Sequence, residues 1–127
     1  MTRYVVDTNV FLRFLLKDNK KYFSQAKKYF LQAKEGKIIL ILLPPVVFEI
    51  DYVLKGVYSL SRQESAKILS FLVKSPDLEV EERKILIEAI EKYKKINIDL
   101  VDIYLATAAK QQKAKMLSFD KDFKKIK

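Results

Sequence analysis

The chain contains no cysteine and no histidine. The first absence excludes disulfides and thiolate metal sites, and the second excludes imidazole acid–base chemistry and imidazole metal ligation. A serine hydrolase of the Ser–His–Asp type is excluded with them, and no G-x-S-x-G turn occurs. Long apolar stretches are also lacking. The longest, IILILLPPVVF (Ile38 to Phe48), is too short to span a bilayer and has two prolines in its middle. Asp7 and Arg13 interrupt what would be the hydrophobic part of a secretory leader, so a cytoplasmic location with no membrane attachment is expected.

What is present suits one soluble domain. The 127 residues are enough for a single core and too few for two, so residues 1–127 are expected to fold as one unit. Lys and Arg outnumber Asp and Glu by 25 to 16, a net charge of +9 that attracts polyanions at long range. Nucleic acid is the leading partner. A lysine-rich chain with two glycines also suits a heat-adapted protein, and both explanations of the charge can hold together.

The apolar pattern alternates between strand and helix. RYVVD (Arg3 to Asp7) is a short β-branched run and predicts a buried strand. TNVFLRFLLK and YFSQAKKYFLQAKEG carry apolar residues three and four apart and predict two helices, the second ended by Gly36. KIILILL is nearly continuous in apolar residues, as a parallel strand covered on both faces would be. Pro45 fits the first turn of a helix reaching about Tyr58, and SRQE (Ser61 to Glu64) is a capping box that opens the next. DLEVE (Asp77 to Glu81) predicts a short strand, RKILIEAIEKYKK a helix, and Leu100 to about Gln112 a last helix with Asp99 at its N-cap. AKMLSFD is expected to close the sheet as a further strand. The sum is an α/β fold, with a mostly parallel sheet whose strands are joined by helical crossovers.

Open parallel sheets bind ligands beyond the carboxyl ends of their strands, and Asp7 and Asp120 each end an expected strand. Glu49 lies on the helix after the second strand and can lean toward the same edge. Asp51, two residues on, is rotated by about 200° and cannot accompany it. Asp99 and Asp102, three apart at a helix start, share one face, though capping and the helix dipole would account for both without any catalytic role. Glu79, Glu81, Glu82, Glu88 and Glu91 are assigned to solvated faces. If Asp7, Glu49, Asp102 and Asp120 converge, their repulsion calls for a cation. With only oxygen donors available, that ion is Mg²⁺ or Mn²⁺.

Four blocks together resemble the PIN-domain nucleases, and within them the VapC-type toxins of prokaryotic toxin–antitoxin pairs. VVDTNVFLRFLL resembles the family's opening strand and DTN signature. FEIDYVLKGVYSLSRQE resembles its second block, with Glu49, Tyr52 and Leu54 on one helix. DLVDIYLATAA resembles the third, placing its aspartate at Asp102, and LSFDKDF the fourth, placing its acid at Asp120. The resemblance implies an α/β/α sandwich of three layers with a sheet of four or five strands. It also implies Mg²⁺- or Mn²⁺-dependent endoribonuclease activity on an RNA substrate, homodimerisation, and inhibition by a cognate antitoxin protein. Asp7, Glu49 and Asp102 would be the main metal ligands, and Asp120 would complete the set. Asn9 and Ser118 would orient carboxylates or a bound water, and Asp99 would aim at the rim. Ser118 stands where the family more often has threonine, which keeps the hydroxyl. Asp122 is expected to be a loop residue.

Other readings weigh less. A phosphatase with Asp7 as nucleophile needs a second acid two residues on, and Asn9 occupies that position. A catalytically silent nucleic-acid or protein binding module of the same fold is the alternative, and it would be expected to lack one of the four acids.

Overall fold

The apolar runs on either side of the first two helices become neighbouring strands. The computed structural model describes residues 1–126. Its order is β1 (Thr2–Val5), α1 (Thr8–Leu16), α2 (Lys20–Lys34), β2 (Ile38–Leu42), α3 (Pro44–Gly56), α4 (Arg62–Val73), β3 (Glu79–Val80), α5 (Arg83–Tyr93) and α6 (Leu100–Gln111). A 3-10 turn, Lys121–Lys125, follows.

All pairings are parallel, in the order β1-β2-β3, with Thr2 opposite Ile38 and Leu42 opposite Val80. The nearly all-apolar strand is central: β2 buries Leu40 and Leu42. β1 lies at an edge, and all four of its residues are exposed. Arg3 on β1 reaches across to Glu79 on β3 through two hydrogen bonds of 3.1 and 2.6 Å.

Local chemistry starts and stops the helices as expected. Asn19 accepts a hydrogen bond from the Tyr22 N–H, and Ser61 and Glu64 form the reciprocal capping box at 3.0 and 2.9 Å. Pro44 and Pro45 open α3, where no intrahelical N–H partner is lost. After Glu35 ends α2, Gly36 takes φ +78, a left-handed conformation that glycine adopts without strain. Inside, Leu42, Ile50, Leu54, Leu69, Leu86, Ile90 and Ile103 are fully buried, each worth roughly 1.5–3 kcal/mol relative to exposure.

Among the described residues the sheet has three strands, not four or five. The segment AKMLSFD forms no ladder: Ala114 to Asp120 has no strand assignment, and Leu117 (94%) and Phe119 (102%) stand in solvent. Local hydrogen bonds divert this backbone. The Asp120 N–H donates to Ser118 Oγ and the Asp122 N–H to the Asp120 carboxylate, so side chains take donors that a ladder would need. β3 is also shorter than DLEVE suggests, because only Glu79 and Val80 find partners on β2.

Candidate active site

Parallel pairing sends β1 and β2 out of the same sheet edge, so Asp7 and the start of α3 emerge together. Asp7 is the N-cap of α1, with φ −75 and ψ 153, yet its carboxylate accepts no capping hydrogen bond. Asp99, the N-cap of α6, leaves its carboxylate equally free. By contrast, Asn19, Ser61 and Asp120 all cap their helices with side-chain oxygens. Capping therefore accounts for three of these residues and leaves the oxygens of Asp7 and Asp99 unspent. Beside Asp7, the Thr8 hydroxyl is buried without a partner.

A cleft of about 610 Å³ lies between α3 and the first turn of α6, lined by Glu49, Asp99 and Asp102 with Phe48, Tyr52 and Lys55 among the others. Phe48 and Tyr104 hold its two walls together edge to face, with ring centroids 5.1 Å apart. Glu49 is exposed on α3, and Asp102 is half-buried in the first turn of α6. Burial raises the Asp102 pKa above the ordinary aspartate value, and the negative charges of Asp99, Asp120 and Asp122 raise it further. The 3-10 turn that carries Asp120 and Asp122 packs on α6, which brings those charges within reach. Among the described residues, none of Asp7, Glu49, Asp99, Asp102 and Asp120 forms an ion pair.

Each residue singled out from sequence thus has a place. Glu49, Asp99 and Asp102 share the cleft, Asp120 acts on Asp102 through its charge, and Ser118 accepts the Asp120 N–H. Asp7 is exposed and stands outside the cleft lining, and Asn9, also exposed, lines a separate groove between α1 and α2. Asp122 belongs to the 3-10 turn, not to an open loop. Glu79, Glu88 and Glu91 pair with Arg3, Lys92 and Lys94, as solvated surface acids do.

The sequence reading set Asp51 apart from Glu49 and passed over Arg62, yet Asp51 lines the same cleft. Asp51 is 5% exposed, and its carboxylate accepts from Ser65 Oγ (2.6 Å) and the Tyr93 hydroxyl (2.8 and 3.0 Å), with Lys55 Nζ at 3.3 Å. Arg62 donates to the carbonyls of Tyr93, Ile96 and Ile98, at 3.1, 3.0 and 2.8 Å, and lies over the Tyr93 ring. It thereby clamps the turn that delivers Asp99. The capping box at Ser61 marked this helix start, but nothing in the letters marked the arginine inside it.

The donors suit a hard divalent cation: they are carboxylate oxygens without countercharges, and one of them resists ionisation. Two carboxylates about 5 Å apart repel by roughly 3 kcal/mol at an effective dielectric of about 20, which a bound cation would offset. In this arrangement, among the described residues, no three acids stand close enough together to hold an ion. Glu49, Asp99 and Asp102 line the cleft, Asp120 and Asp122 act on Asp102 through their charge, and Asp7 lies outside the lining.

No curated protein and no solved structure matches the chain. The family model for the PIN domain matches residues 4–127, which takes in all four acids, the cleft and every helix. The chain belongs to the PIN domain family.

Proposed function

We propose that this protein is a Mg²⁺- or Mn²⁺-dependent endoribonuclease, the toxin of a VapBC-type pair, working as a homodimer and restrained by a separate antitoxin. Membership of the PIN family points to nuclease activity in general. The observation that supports a metal-dependent reading is Asp102: half-buried, surrounded by the charges of Asp99, Asp120 and Asp122, and without an ion pair among the described residues of a protein of net charge +9. Asp51, another acid lining the same cleft, has Lys55 Nζ at 3.3 Å as its countercharge.

Asp7, Glu49 and Asp102 would hold the ion, with Asp120 completing the set. A bound divalent ion supplies an activated water and neutralises charge on the phosphodiester. Asp99 lines the rim and adds negative charge there. Asn9 and Ser118 carry groups that can orient carboxylates, and Ser118 already fixes the turn that holds Asp120. The basic surface retains the remaining phosphates.

The test is cleavage of structured and unstructured RNA by purified protein with Mg²⁺ or Mn²⁺, with chelator, and with Asp7→Asn and Asp102→Asn. Cleavage that needs the ion and both carboxylates is expected. The spread of the acids favours one other reading, a catalytically silent binding module. RNA bound equally by all three proteins and cut by none would establish that module in place of the nuclease.

A further inference from the structure

α2 repeats itself. Its sequence runs KKYFSQA then KKYFLQA, Lys20 to Ala26 and Lys27 to Ala33, before Lys34 closes it. Seven residues fall about 20° short of two full turns, so equivalent positions share a face and stand about 10.5 Å apart along the axis. The inner half of each copy is anchored. Phe23 and Phe30 both stack on Phe14 of α1, with centroids 5.9 and 4.2 Å away, and Ala26 and Ala33 are buried.

The outer half is a repeated polar and aromatic station. Tyr22 (47%) and Tyr29 (43%) are exposed, and Lys20, Lys21, Lys27, Lys28 and Lys34 are exposed with them. The helix holds five lysines and no acid. Tyr22, Gln25 and Tyr29 join Asn9, Val10, Arg13 and Ala26 in a groove of about 360 Å³ between α1 and α2. Arg13 lies 5.0 Å from the Tyr22 ring centroid, and Tyr4 meets Tyr29 edge to face at 5.7 Å. The groove's near end is Asn9, two residues from Asp7.

We infer that the two lysine–tyrosine stations of α2 and the groove beside them form a track for single-stranded RNA leading to the Asp7 end of the candidate active site. Exposed phenol rings offer stacking faces to unpaired bases and none to a closed duplex. The lysines supply countercharge to the backbone, with Arg13, paired to Asp18 at 3.7 Å, at the side of the groove. Two stations separated by about 10.5 Å engage separate nucleotides and tolerate any base, because every base has a π-face. A double helix would use the lysines alone. This inference rests on the nuclease reading for its substrate, and binding without turnover tests it independently.

The experiment is a fluorescence-anisotropy titration in EDTA of a labelled single-stranded RNA, and of the same strand in a duplex. The proteins compared are wild type, Y22A/Y29A, Y22F/Y29F, K21A/K28A and Asp102→Asn, each checked for helicity by circular dichroism. Y22A/Y29A is expected to bind the single strand at least about tenfold more weakly and the duplex unchanged, and Y22F/Y29F to restore binding. K21A/K28A is expected to lower the salt dependence by about 1.4 in log–log slope, two phosphates' worth for a single strand. Cleavage, assayed separately with Mn²⁺, is expected to be lost in Asp102→Asn whatever becomes of the track, which keeps failure of the nuclease reading apart from failure of this one. Single-strand affinity unchanged in Y22A/Y29A would overturn the track. So would an equal loss on both RNAs, or a wild type that binds no RNA and marks this face as a protein contact.

Discussion

Asp51 and Asp102 line the same cleft and meet opposite fates. Asp51 is closed in by Ser65, Tyr93 and Lys55, every donor within 3.3 Å. Asp102 faces Asp99, Asp120 and Asp122 and has no countercharge among the described residues. The first carboxylate is paired by the protein itself; the second has no cationic partner among the described residues. Burial alone does not separate a structural acid from a functional one, whereas the presence or absence of donors does.

The contrast predicts unequal costs. Asp51→Ala strips the centre from a buried polar network and strands Tyr93, Ser65 and Lys55. A loss of about 3 kcal/mol or more in urea-unfolding stability is expected. Asp102→Asn should cost nothing comparable, and similar losses in the two variants would dissolve the distinction. Tyr93→Phe removes two of the contacts to Asp51 and is expected to cost about 1–2 kcal/mol by the same measurement.

Divalent ion should act on one side of the comparison only. Saturating Mg²⁺ or Mn²⁺ is expected to raise the Tm of wild type, by about 2.7 kcal/mol of added stability at a hundredfold excess over Kd, and to raise that of Asp102→Asn much less. The smallest effect is in pH. Because the folded-state pKa of Asp102 lies above its ordinary value of 3.8, the folded protein holds that proton longer than the unfolded chain does. Stability should therefore fall as pH rises from about 3.8 through the raised value, and stay lower above it. Asp102→Asn should remove that part of the acid-range slope, and an identical slope in both proteins would show that neither burial nor the neighbouring acids perturb this carboxylate.

Much of this architecture was legible in the letters because it is local. The capping box at Ser61, the prolines opening α3 and the apolar spacing of α1 and α2 depend on residues within a turn or two of one another. β3 was half legible: a short strand was expected over Asp77 to Glu81, but its length is set by which residues meet Ile41 and Leu42. The closing strand was misread because Ser118 and Asp120 turn their own backbone aside, a competition that apolar content does not reveal. Rotation on the helix was expected to keep Asp51 out of Glu49's site, yet both line the cleft, and that Asp51 is consumed by Ser65 and Tyr93, 14 and 42 positions away, needed the fold. The two KKYF copies were not read as a repeat from the sequence, and only packing on Phe14 shows which half of each faces out.

The acids at the rim are held to share one divalent cation, and calorimetric titration of Mn²⁺ into wild type, Asp7→Asn, Glu49→Gln and Asp102→Asn tests that most directly. The expected result is one site in the wild type, weakened about tenfold or more by each substitution, or about 1.4 kcal/mol per ligand removed. Equal Mn²⁺ affinity in all four proteins, or no binding to the wild type, would contradict it.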